Sequence, residues 1–416
     1  MQEKQGERSM TVTIDRIREA ARLIAGAVVR TPLVYSGPLS DRLGAEVHLK
    51  LETLQYTGSF KDRGALVKLS SLTPAQAKSG VIAVSAGNHA QGVAYHARRL
   101  GIPATIVMPK STPFTKINRT EALGARVLLH GDSVSACMPF AEEIVTLDKL
   151  TFVHPFDDAH IIAGQGTVGL EILEDLPAFD ALLAPIGGGG LIAGIATALA
   201  ASGCPAEIIG VEAALYPSMR CSLRGEEIVA GGATLAEGIA VKTPGKLTLP
   251  IIRERVAEVV VADELALEDA VQTMIVTAKV LAEGAGAAPL AALTAMRERF
   301  AGKKVVLVVS GANIDSRILA SVMMRGMVRS GQMARLRVTI SDTPGILARV
   351  AQQIGERGGN IVEIVHQRLF FDVPVKQAEV DIVIETQDAD HIAEIIEHLE
   401  GEGFPTWRLG DTAHSG

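Results

Sequence analysis

Aromatic side chains are scarce in this chain of 416 residues: ten Phe, four Tyr and one Trp. Its core cannot be filled with rings and must be built from Ala, Val, Ile and Leu, as in buried parallel sheets. Cysteine is also rare, at Cys137, Cys204 and Cys221. An odd, widely spaced set fits neither a disulfide framework nor a zinc site, and points to a reducing cytoplasm. Positive charge is in deficit. Forty Lys and Arg against 47 Asp and Glu leave a formal net charge of −7, which argues against a nucleic-acid partner. The first ten residues are polar and lack a secretory signal's apolar segment, so a frayed arm is expected there.

What is present supports a packed, multidomain protein. Hydrophobic residues make up 48% and charged residues 21%, a balance that excludes global disorder. The length corresponds to two or three domains at about 150 residues each. The stretch from Ala181 to Ala206 carries no charge and is long enough to span a bilayer. Pro185, Gly187–Gly190 and Pro205 are breakers that a lipid-exposed helix does not gather. A buried strand–turn–helix is expected instead, with no membrane partner.

Ile14, Ile17, Ala21 and Ile24 recur at helical spacing. Apolar runs at Val81–Val84, Ala104–Met108, Arg126–Leu129, Thr151–Val153, Ala181–Pro185 and Ile208–Val211 then read as strands. Helical patterns at His89–Leu100, Thr115–Leu123, Ala136–Thr146, Gly166–Asp175 and Leu191–Ala201 alternate with them. Such alternation implies a mostly parallel α/β sheet, whose ligands sit at the carboxyl ends of strands. After Met333 the pattern changes. Leu336, Val338 and Ile340 alternate with polar residues, Asp342–Thr343–Pro344–Gly345 reads as a turn, and a helical stripe stops at Gly358–Gly359–Asn360. Strands at Ile361–Arg368 and around Val380–Ile384, a helix at Ile392–Leu399 and a short strand near Trp407 complete βαββαβ. Ten acids and one Lys lie between Asp372 and Glu402 and read as a solvated face rather than a metal site.

Four constellations bear chemistry. The run Gly187, Gly188, Gly189, Gly190, Leu191 follows a strand and opens a helix. It suits phosphate binding by converging amides, or is a close-packed turn without a ligand. No Lys-Ser/Thr follows it, and Ile192 spoils the third glycine of a dinucleotide fingerprint. Lys61, among Gly58, Ser59 and Phe60 at a helix start, becomes a nucleophile if desolvated; otherwise it is a surface lysine paired with Asp62 or another acid. The turn Ser85–Ala86–Gly87–Asn88–His89 binds a carboxylate, or is a helix capped by Ser85 or Asn88. Ser310–Gly311–Ala312–Asn313 ends a strand.

Together and in this order, the motifs Ser59–Ala65, Ser85–His89, Gly187–Gly190 and Ser310–Asn313 closely resemble the fold-type II pyridoxal-phosphate enzymes, and within them the threonine/serine dehydratases. The resemblance covers about the first 325 residues. It implies a catalytic domain at 1–325 of two open, twisted, mostly parallel α/β lobes, the smaller at roughly 50–155, then a linker at 326–333. It implies pyridoxal 5'-phosphate held by Lys61 as a Schiff base, with Lys61 and Ser85 catalytic. Phe60 is expected against the cofactor ring, Asn88 at its 3-hydroxyl, Gly187 to Leu191 around its phosphate, Ser310 at the pyridine nitrogen and Glu283 nearby. Ser85, Ala86, Gly87, Asn88 and His89 are expected to meet the amino-acid substrate. His154 and Asp157 approach the pocket or serve structure.

The implied activity is β-elimination of L-threonine, and of L-serine, to a 2-oxo acid and ammonia. Serine racemase and 3-hydroxyaspartate dehydratase are the alternatives. Racemases of this family carry a second Ser where this chain has Ala86. A non-catalytic amino-acid sensor is a distant third. Glu212 matches a position where some members bind a monovalent or divalent cation, but those members offer a further acid where this chain has Tyr216–Pro217–Ser218. Residues 334–411 resemble an ACT domain, which implies pairing in a homodimer or homotetramer and an amino-acid effector near Asp342, Gly345, Ile346 and Asn360. The module is too short for the two ACT-like units of larger biosynthetic threonine dehydratases.

Overall fold

The computed structural model describes residues 11–367 and 376–410. Outside them lie the expected arm 1–10, the last residue of the expected strand Ile361–Arg368, Asp372 of the acidic run, and position 411. The chain forms two compact units that divide between Ile314 and Asp315.

The first unit is built on two sheets. Its strands are β1 (Leu33–Tyr35), β2 (Glu46–Leu51), β3 (Val81–Val84), β4 (Ala104–Met108), β5 (Arg126–Leu129), β6 (Thr151–Phe152), β7 (Ala181–Pro185), β8 (Glu207–Ala213), β9 (Glu258–Ala262) and β10 (Lys304–Val309). Six form one sheet in the order β1-β2-β10-β7-β8-β9, parallel except for β1. The other four form a wholly parallel sheet, β5-β4-β3-β6. This smaller sheet lies inside the span 50–155, while β2 belongs to the larger one. Successive residues of a strand face opposite ways. Val306 and Val308 of β10 accordingly join a core with the helices Ala159–Asp175 and Gly190–Ala201, and the helix Gly284–Ala295 packs on β7, β8, β9 and β10. The uncharged stretch is the buried strand–turn–helix β7 to Ala201. Among the described residues no helix is long and apolar enough to cross a membrane.

Glycine serves packing as well as turns. The helices Lys61–Ser70 and Ala159–Asp175 touch so closely that a Cβ on Gly164 would stand 2.6 Å from the Gly64 Cα. Beside this contact lies a buried ionic network. The Arg63 guanidinium donates to both oxygens of Glu52 at 2.8 Å, to Glu171 at 2.6 and 2.8 Å, and to Thr167 at 3.1 Å. The Lys50 ammonium donates to Glu171 at 2.5 Å and to the Thr31 carbonyl at 2.6 Å. Arg63, Lys50 and Glu52 are fully buried. Burial alone would raise the Glu52 carboxyl, but Arg63 holds it below its usual range.

In the second unit, the helix Ser316–Arg329 leads into β11 (Met333–Ser341). The linker expected at 326–333 is therefore largely the last helical turn and the first strand residue. Then come the helix Ile346–Glu356, β12 (Asn360–Gln367), β13 (Gln377–Glu385), the helix Ala389–Gly401 and β14 (Thr406–Arg408). The four strands form an antiparallel sheet ordered β12-β13-β11-β14, a split βαβ arrangement. Both helices bury their apolar stripes on one core. One acid departs from the expected solvated face. Asp381 is 4% exposed, because its register partner Arg337 and nearby Arg335 both donate to it at 2.7 Å.

Replacing Arg63 with Leu would leave Glu52 and Glu171 without their main counter-charge. Losing one partner of a buried pair costs about 3–5 kcal/mol. Denaturant unfolding of Arg63→Leu should show a loss of that order; a loss below about 1 kcal/mol would mean that the network contributes no more than a surface pair.

Candidate active site

Lys61 begins the Lys61–Ser70 helix, and its surroundings fix where the amine points. Asp62 is fully buried and accepts from the Thr57 amide at 3.0 Å and the Thr57 hydroxyl at 2.5 Å. Lys61 is thus not paired with Asp62. Its Nζ donates to the Pro155 carbonyl at 2.7 Å and lies 5.0 Å from the centre of the Phe60 ring. Burial pushes the amine down to about 8, against the opposing pull of Glu283. A lysine so tuned has a far larger neutral, nucleophilic fraction near neutral pH than an ordinary one.

The other motifs gather around it. Ser85 follows β3, and its hydroxyl accepts the Gly87 amide at 3.2 Å. Neither Ser85 nor Asn88 caps the Asn88–Leu100 helix, whose cap is Gly87 without a side-chain bond. The Asn88 Nδ2 donates to Glu283 at 2.7 Å, and its Oδ1 accepts from the Asn313 Nδ2 at 2.7 Å. Burial pushes the Glu283 carboxyl up to about 7. The His89 side chain is buried. It is 3% exposed, pairs with the Val153 carbonyl at 2.8 Å, and is pushed by burial down to about 3. Only its backbone remains available to a substrate.

The glycine run follows β7. Gly189, with φ of +93°, caps the Gly190–Ala201 helix in a left-handed conformation that favours glycine. A Cβ on Gly188 would run into the Phe156 ring. The first helical bond runs from the Ala193 amide to the Gly189 carbonyl at 3.0 Å, so the preceding amides, through Leu191, are free of intrahelical acceptors and suit an anion. The Thr248 hydroxyl braces the loop by donating to the Gly188 carbonyl at 2.6 Å. Ser310, at the end of β10, is 2% exposed, and its carbonyl accepts the Phe60 amide at 3.0 Å. An amine, a ring beside it, a buried hydroxyl and a glycine cradle that tolerates no side chain together fit a phosphorylated aromatic aldehyde.

Three expectations concern residues outside these motifs. Glu212 is 1% exposed, and its oxygens accept the Met219 and Arg220 amides at 2.7 and 2.9 Å. Among the described residues no group of three or more His, Cys, Asp or Glu could hold a metal. Glu212 is thus oriented by backbone. His154 and Asp157 flank Pro155 and Phe156: the His154 Nδ1 accepts the Asp157 amide at 2.8 Å, and Asp157 accepts the Lys246 and Leu247 amides at 2.9 and 2.7 Å. The effector candidates lie in the second unit and do not converge. Asp342, Gly345 and Ile346 follow the Ser341 end of β11, whereas Asn360 starts β12 opposite Glu385, at the Met333 end. Sequence reasoning gave no role to Asn313, which touches Asn88, or to Pro155 and Phe156. Asn313 was legible within its motif. The Pro155 contact uses a backbone oxygen, which no residue type signals.

The family model described as pyridoxal-phosphate dependent enzyme matches residues 24–311. The chain belongs to the pyridoxal-phosphate-dependent enzymes. Its cofactor is pyridoxal 5'-phosphate. Over 401 residues it is 43% identical to the L-threonine ammonia-lyase of Thermotoga maritima, covering 96% of this chain and 100% of that one. The second unit is therefore part of the shared length. The processed form of threonine deaminase isoform 2 from Solanum lycopersicum superposes with a TM-score of 0.70 at 35% identity, over 74% of this chain and 93% of that one. Maize serine racemase superposes with a TM-score of 0.71 at 33% identity, over 76% and 98%. The fold of these enzymes alone therefore does not choose between elimination and racemisation.

The depressed Lys61 value sets a pH profile for cofactor capture. Lowering the pH protonates the amine, so attachment of pyridoxal phosphate to the apoprotein should be slow at acid pH and level off above about 8. A rate still climbing toward the ordinary lysine value of 10.5 would contradict a desolvated amine.

Proposed function

We propose that this enzyme is an L-threonine ammonia-lyase that also accepts L-serine. Support comes from the full-length likeness to the Thermotoga maritima L-threonine ammonia-lyase together with one geometric fact: the Lys61 amine is buried among Phe60, Asn88, Glu283 and the glycine run. Pyridoxal phosphate, when bound, supplies the electron-withdrawing ring that acidifies the α-hydrogen of an amino acid.

The chain's own residues supply the rest. Lys61 would hold the cofactor and take the α-proton, a task suited to an amine that burial lowers to about 8. The amides of Gly187 to Leu191 would hold the phosphate, Phe60 the ring and Asn88 the 3-oxygen. Ser310 would offer a hydroxyl to the pyridine nitrogen, and a hydroxyl does not enforce protonation there. Such a site is a weak store for negative charge, which suits a reaction that expels the β-hydroxyl as the α-proton leaves. Ser85 and the backbone of Ala86 to His89 receive the substrate carboxylate. The α-proton and β-hydroxyl leave as water, and water returns to hydrolyse the C–N bond, giving 2-oxobutyrate and ammonia. Ala86 cannot protonate the opposite face of the substrate, which favours elimination over racemisation.

Residues 334–410 form, on this reading, an ACT-like regulatory module. Its βαββαβ order and the left-handed Gly345 (φ +87°) at the first helix start support this. The separation of Asn360 from Asp342 within one chain suits an effector held between paired modules of a homodimer or homotetramer. The free cysteines suit a cytoplasmic protein.

A substrate panel read as 2-oxo acid release should rank L-threonine first, with 3-hydroxyaspartate far behind. Lys61→Ala should lower the rate by at least about 10²-fold. Faster hydroxyaspartate turnover would replace the threonine reading. Ala86→Ser should gain serine racemisation, seen by chiral chromatography; no gain would remove that residue from the specificity argument. Branched-chain amino acids should raise the melting temperature of the full chain, and Gly345→Val, strained at its φ, should lose that response. A response undiminished in the variant would move the effector elsewhere.

A further inference from the structure

Asn313 stands at a junction that the proposed mechanism leaves without a role. Its Nδ2 donates to the Thr57 carbonyl and to the Asn88 Oδ1, both at 2.7 Å. The surrounding backbone is laced tightly. The Ala312 amide donates to the Gly58 carbonyl at 2.9 Å, the Phe60 amide to the Ser310 carbonyl at 3.0 Å, and the Glu283 amide to the Gly311 carbonyl at 3.0 Å. Three segments therefore meet at one side chain: the loop that delivers Lys61, the end of β10, and the start of the small-lobe helix that carries Asn88.

The orientation of both amides follows from one backbone atom. A carbonyl oxygen only accepts, so the part of Asn313 facing Thr57 must be its NH₂ group. The same nitrogen lies against Asn88, so Asn88 must turn its oxygen toward it. The Asn88 NH₂ is thereby forced to the opposite side, where it finds Glu283 at 2.7 Å. Asn88 then has a filled carbonyl and one N–H to spare. Without Asn313, only Glu283 would orient the amide, and its carboxyl, pushed up to about 7, donates as well as accepts when protonated.

We infer that Asn313 is a positioning residue: it locks the Asn88 amide so that the cofactor's 3-oxygen meets an N–H donor and never a carbonyl. This rests on the proposed reading in which Asn88 meets that oxygen. An oxygen that receives N–H is held deprotonated, whereas one facing a carbonyl keeps its proton. Asn313 thus sets the protonation of the ring without touching it.

The test uses the full chain reconstituted with pyridoxal phosphate, as wild type, N313D, N88A and N88A/N313D. Equilibrium dialysis gives cofactor affinity, and absorption against pH gives the protonation of the 3-oxygen. N313D cannot donate to Asn88 and invites the amide to turn. It should weaken cofactor binding by about tenfold and move 3-oxygen protonation upward by about one pH unit. In the N88A background the same substitution should change affinity by less than about twofold. If N313D melts early without cofactor, N313A replaces it with the same expectations. An unchanged titration, or an equal loss with and without Asn88, overturns the inference and leaves Asn313 a structural residue. Failure of the underlying reading looks different: wild type would then load no cofactor, or Lys61→Ala would load it as well as wild type.

Discussion

The site depends on keeping the Lys61 amine out of water while holding the rest of its helix start rigid. Burying an ammonium is costly, and that cost lowers the amine to about 8 and raises its reactive neutral fraction. The residues beside it must then be fixed by other means. Asp62 is spent on Thr57, and Glu52 and Glu171 on Arg63, so none of these acids is left to neutralise Lys61. The nearest polar partner of the amine is a carbonyl oxygen, which stabilises without supplying a charge. Rigidity and reactivity thus come from adjacent residues with opposite electrostatic treatment.

From this arrangement the remaining architecture follows. The Lys61 loop is stitched to the end of β10, the small lobe delivers Asn88 from the turn after β3, and β7 delivers the glycine run. Each group arrives at the carboxyl end of a parallel strand, where helix starts turn free amides toward the crevice. Chemistry is added at single positions. The same scaffold is found in a threonine deaminase and in a serine racemase, so residues such as Ala86 carry the distinction that the fold does not.

Much of this was legible in the sequence. The strands β3, β4, β5 and β7 appear with their observed limits, because short apolar runs bounded by turn residues are hard to read otherwise. The βαββαβ order of the second unit was equally plain from its alternating strands. What sequence hid was charge in buried places. Lys50 and Glu52 flank the end of β2 like surface residues, yet both are buried, because Arg63 and Glu171 complete the network from distant positions. Asp381 was hidden in the same way by Arg335 and Arg337 across the sheet. His89 shows the opposite case: its ring, polar and within a site motif, is buried against the Val153 carbonyl.

The central claim is that Lys61, and no other amine, carries the cofactor. Borohydride reduction of the loaded protein, followed by proteolysis and peptide mass spectrometry, tests it directly. The account predicts a stable phosphopyridoxyl mass on the peptide containing Lys61, at close to one label per chain. A label on another lysine, or none on a protein that has taken up pyridoxal phosphate, would contradict it.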